Sequence, residues 1–67
     1  MKTYADADVR KALAALVEQS SCRRTAAHLG VEQSGLNRMI RGEREINEKV
    51  ARAAGFRLCE RQWVRAA

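Results

Sequence analysis

Gln33, Ser34, Asn37, Arg38 and Arg41 share one face of a short segment, at offsets of one, four, five and eight from the first. Two amides, a hydroxyl and two guanidiniums can donate and accept hydrogen bonds. They form no nucleophile–base set, so their chemistry is recognition rather than catalysis. Amide and guanidinium side chains form paired bonds to base edges in the DNA major groove, so this face is expected to read sequence. Arg38 and Arg41 are expected to donate to guanine O6 and N7, and Gln33 or Asn37 to pair with adenine N6 and N7. Plainer readings stand beside these. Gln33, Ser34 and Asn37 are also what a solvated helix face contains, and Arg38 and Arg41 would serve equally as phosphate clamps.

A helix must carry that face, and a second helix must present it. Leu36, Met39 and Ile40 recur at helical spacing and give residues 33–41 an inward side. Upstream, residues 22–29 read as a partner helix with Ser20 and Ser21 available as caps. Gly30 follows its last turn, where a left-handed residue is usual and glycine adopts it without steric penalty. Ala26 is small where the two helices would cross, and Leu29 and Val31 anchor the turn. Arg23 and Arg24 at the start of the first helix, and Arg44 after the second, are expected to touch phosphates. Such contacts give affinity and register but carry no sequence information.

The remaining elements are expected to close a small core around this pair. Val9, Ala12, Leu13, Leu16 and Val17 follow one buried stripe and predict a first helix over residues 8–18, with Asp6 or Asp8 at its cap. Asn47 caps a short helix over 48–54, packed through Val50, Ala53 and Ala54, with Ile46 at its start and Gly55 at its end. The expected fold is all-α: four to five helices in one domain spanning 1–67, with residues 56–67 as a dimerisation tail. That tail fits two patterns. Phe56, Cys59, Trp63 and Ala66 lie on a helical stripe, whereas Phe56 and Leu58 alternate with Arg57 as in a strand. The strand is preferred because the preceding helix already stops at Gly55. A lone strand in a helical chain would pair with its copy, placing Phe56, Leu58, Trp63 and Val64 at a dimer interface.

Composition narrows the function classes. Lys and Arg number 13 against 8 Asp and Glu, a net charge of +5, with residues 1–20 neutral and the excess in and after the paired helices. A basic balance of this kind favours a polyanionic partner. Two cysteines make no disulfide framework, and Cys22, His28 and Cys59 lack the spacing and fourth ligand of a zinc site. His28 is expected to be structural. No cofactor, no small-molecule ligand and no membrane association is implied, and the N-terminus lacks the apolar run of a signal peptide. A cytoplasmic location is expected.

The segment Thr25-Ala26-x-x-Leu29-Gly30-Val31-x-Gln33-Ser34-x-x-Asn37-Arg38-x-Ile40 resembles the helix-turn-helix of the Cro and lambda-repressor family of phage-type regulators. The close match covers about twenty residues, with the motif over about 22–41, and the looser layout of helices extends over most of the chain. The resemblance implies a homodimer that binds a palindromic operator on double-stranded DNA and represses transcription, often of its own operon on a phage or mobile element. Gln33, Ser34 and Arg38 match the family's base-reading positions, with Asn37 and Arg41 beside them. The chain departs from the pattern at Cys22, where the family often has a phosphate-touching glutamine. Glu32 at the head of the reading helix would either repel phosphate or accept from a cytosine amino group. An alternative reading is a protein-interaction module, such as an antitoxin or anti-repressor, with DNA binding secondary.

Overall fold

In the computed structural model, which describes residues 2–66, four helices precede a β-hairpin. They are α1 (Asp6–Glu18), α2 (Cys22–Leu29), α3 (Gln33–Arg41) and α4 (Glu48–Ala53), followed by β1 (Phe56–Cys59) and β2 (Gln62–Arg65). Helix α1 begins two residues before the expected start, and neither candidate aspartate is its N-cap. Ala5 occupies that position, and the Asp8 carboxylate, three residues on, accepts from its backbone N–H at 3.0 Å. Asp6 is engaged elsewhere: its Oδ1 accepts the indole N–H of Trp63 at 2.7 Å, across 57 residues of chain.

The core follows the apolar stripes. Val9 and Leu13 of α1, Ala26 of α2, Leu36 and Met39 of α3, and Val50 and Ala51 of α4 are buried, with Ala12, Val17, Ile40 and Ile46 packed against them. In α4 the inward residue is Ala51 rather than the expected Ala53, which is exposed. Asn47 caps this helix as expected, its Oδ1 accepting from Lys49 N at 2.8 Å.

The tail departs from expectation in both pairing and burial. It is neither one strand nor a helix: β1 and β2 pair antiparallel with each other, in the register Phe56 with Arg65, Arg57 with Val64, Leu58 with Trp63 and Cys59 with Gln62. The fold is therefore not all-α. The strand finds its partner inside the chain because Glu60 and Arg61, at φ 51° and 65°, form a two-residue turn. Two consecutive residues with positive φ give the twist that matches a right-handed strand pair. Tyr4 then adds a single bridge to the other side of β2, its N–H donating to the Trp63 carbonyl at 2.8 Å. Phe56, Trp63 and Val64, expected at a dimer interface, lie within the chain's own interior at 2%, 6% and 2% exposure. Phe56 meets Tyr4 edge to face at 5.1 Å, and the Arg65 guanidinium lies over both rings. Of the four expected interface residues, Leu58 alone remains exposed, at 42%.

Among the described residues, no helix is long and apolar enough to cross a membrane.

Candidate nucleic-acid interface

Ser21 fixes the start of α2: in extended conformation, its hydroxyl accepts from the backbone N–H of Arg24 at 3.0 Å. The side chains of Arg23 and Arg24 stay exposed around this helix start. There the unpaired N–H groups and the helix dipole favour an anion. At the other end Gly30 takes φ 70°, with its N–H on the Ala27 carbonyl at 3.2 Å and the Val31 N–H on the Ala26 carbonyl at 3.0 Å. This paired closure, with a left-handed residue between, turns the chain sharply into α3. Ala26 is buried at 2%, within the core that α2 and α3 share. The Lys49 ammonium lies near this turn, 3.6 Å from where a Cβ on Gly30 would be. A cation there suits the carbonyl end of α2.

Helix α3 divides cleanly into two sides. Gly35, Leu36 and Met39 are buried and Ile40 half-buried, while Gln33, Ser34, Arg38 and Arg41 are exposed. Its N-cap, Glu32, makes no capping bond with its side chain, which is left exposed at the head of the helix. Gly42 ends α3 in the same manner as Gly30 ends α2, at φ 81°, with Glu43 N donating to the Arg38 carbonyl at 2.9 Å.

The expected reading residues do not all stand alike. Gln33, Ser34 and Arg38 project without a protein partner among the described contacts. Arg41 lies 3.9 Å from Glu43, with both side chains more than half exposed. Such a pair contributes little and yields readily to a stronger anion. Asn37 is half-buried, its amide oxygen 3.5 Å from the thiol of Cys22 at the start of α2. Arg44, expected to touch a phosphate, folds back over α3: a Cβ on Gly35 would stand 3.0 Å from its Nη1. Arg44 is exposed beside Glu32 and Asn47, and its flexible guanidinium can shift to admit a side chain at Gly35. Nothing in the linear spacing linked Arg44 to Gly35, Lys49 to Gly30 or Cys22 to Asn37. Each pair meets only because the turns at Gly30 and Gly42 fold the chain back.

The cysteines Cys22 and Cys59 carry free thiols, and His28 is exposed on α2. Among the described residues no cluster of three metal-ligating side chains occurs. Comparison with protein-family models, with characterised proteins and with solved structures finds no match.

Proposed function

We propose that this chain is a sequence-specific DNA-binding regulator, not an enzyme, acting as a dimeric repressor on a palindromic operator. One observation carries the reading: a helix whose apolar side is buried exposes three amide- or guanidinium-bearing residues and a serine, beside a helix start bearing two arginines. This arrangement supports a helix-turn-helix reading. Helix α3 would enter the major groove, while Arg23 and Arg24 hold the backbone at the start of α2. Arg38 donates to guanine, Gln33 pairs with adenine, and Ser34 bonds either base. Arg41 serves the same face once Glu43 releases it. Glu32, uncommitted at the head of α3, accepts from a cytosine amino group. Arg44 and Lys49 add positive charge along the flank.

Discrimination demands two copies. A good bidentate contact separates right from wrong bases by about 1–3 kcal/mol, so one subunit reading a few bases is weakly selective. Two subunits on half-sites about 10 bp apart, centre to centre, combine their contacts. The aromatic residues of the tail hold the monomer together, so they are not the dimer anchors. Leu58 is the tail side chain that remains for a partner subunit.

Selection of binding duplexes from a random pool by the purified chain tests this. Enrichment of an inverted repeat with that spacing is expected. Retention of random DNA without sequence preference would reduce the chain to a nonspecific basic domain. Loss of all DNA binding would favour the protein-interaction alternative.

A further inference from the structure

We propose that Cys22 is a positioning residue for base recognition, turning the Asn37 amide so that it offers only donors to the groove. The proposal rests on the DNA-reading role of α3 given above.

Cys22 is the first residue of α2, and Asn37 lies one turn into α3, four residues after Gln33. The packing of α2 on α3 brings the Cys22 Sγ to 3.5 Å from Asn37 Oδ1 and 3.8 Å from the Gln33 carbonyl oxygen. Both neighbours are acceptors, so the thiol is the donor, and it has one proton to give. The nearer oxygen, on Asn37, takes it.

A carboxamide is planar, with oxygen and nitrogen on opposite branches. With the oxygen held toward α2, the NH2 group is the end of the amide left for the side on which Gln33, Ser34 and Arg38 are exposed. Adenine recognition by an asparagine needs both ends at once, the oxygen for the N6 amino group and the nitrogen for N7. With its oxygen held against the thiol, Asn37 cannot present that pair. It donates instead to a base-edge acceptor such as guanine N7 or O6, or thymine O4. The sequence left Gln33 and Asn37 as equal candidates for adenine, and this contact separates them. Gln33 is exposed and free to read adenine, whereas Asn37 discriminates as a donor.

A thiol is a weak donor, so the contact acts on orientation more than on stability. Cys22→Ala should therefore leave the fold intact while freeing the amide to flip. Losing one neutral hydrogen bond is expected to lower discrimination at the base pair facing Asn37 by about three- to tenfold, with affinity for random DNA unchanged. Cys22→Ser, which keeps a donor, should restore it. Asn37→Asp keeps the oxygen and loses the donors, so it should abolish preference at that base pair in either background.

A measurement without DNA examines the contact itself. In the full chain carrying Cys59→Ala, the Cys22 S–H stretch in the infrared should lie at the lower frequency of a bonded thiol and rise on Asn37→Ala. The DNA arm uses titrations against the selected operator and its single-base variants. Unchanged discrimination in Cys22→Ala, or an S–H band indifferent to Asn37→Ala, would overturn the proposal. So would a requirement for both adenine N6 and N7 at that base pair, shown by purine and 7-deazaadenine substitution. A parent chain that distinguishes no sequences at all overturns the DNA reading and with it the role of Cys22. The infrared band then still reports whether the thiol holds the amide.

Discussion

Replacing Trp63 by alanine should unfold the protein rather than dissociate it. The indole is 6% exposed in the core, its Nε1–H donates to Asp6 at 2.7 Å, and the carbonyl of the same residue receives Tyr4 N. Truncating a buried Trp to alanine costs about 3–5 kcal/mol. The bond to Asp6 adds about 1 kcal/mol, less than is usual for a charged partner, because that carboxylate is 62% exposed and regains water when the indole leaves. At about 0.05–0.15 kcal/mol per residue, the whole domain is stable by only about 3–10 kcal/mol. The loss of about 4–6 kcal/mol therefore takes away two fifths or more of the stability. Trp63→Phe keeps most of the ring and should cost about 1–2 kcal/mol, close to the cost of Asp6→Ala, since both remove the same bond. Urea unfolding followed by circular dichroism, at several protein concentrations, gives the three values, and sedimentation gives the mass. If Trp63→Ala unfolds like the parent but moves a dimer to monomer, Trp63 belongs to an interface and the hairpin packing described above is wrong.

The hairpin turn offers a gain instead of a loss. Glu60→Asn with Arg61→Gly places residues that tolerate positive φ where two strained ones stand, and should stabilise by about 1–2 kcal/mol, raising the melting temperature by several degrees. Gly30→Val, at φ 70°, should destabilise by about 1–3 kcal/mol, whereas Ala26→Leu should overpack the α2–α3 crossing by a similar amount; thermal melts of both check this. Arg23→Ala should weaken binding to operator and random DNA equally and reduce the slope of log affinity against log salt by about 1, measured by anisotropy titration.

Where order is local, the sequence declared it. Ser21 and Asn47 as caps, Gly30 as a left-handed stop, and the apolar stripe of α3 are each set by residues within a turn of one another, and the extents of α2 and α3 followed from such local signals. The hairpin was hidden because Glu60-Arg61 carries none of the glycine or asparagine that marks a two-residue turn. Without that break, Phe56, Leu58 and Trp63 read as one strand with surplus aromatic area. The register that pairs Leu58 with Trp63 sets Trp63 on the same side as Phe56, over the helical core. The closure of Trp63 on Asp6 and Tyr4 joins the two ends of the chain, and no periodicity reports a contact at that separation. At the candidate site the exposed face was legible for the same local reason. What constrains each member was not, since the partners of Asn37, Gly35 and Gly30 come from other elements.

The most direct measurement compares the parent chain, Arg38→Ala and Gln33→Ala in titrations against the selected operator and a random duplex of equal length, at fixed salt. A reading face on α3 predicts that both variants lose most of the ratio between the two affinities, falling about 10- to 100-fold toward unity, while affinity for random DNA changes little. Arg38→Ala with an unaltered ratio would contradict the assignment of α3 as the element that reads DNA.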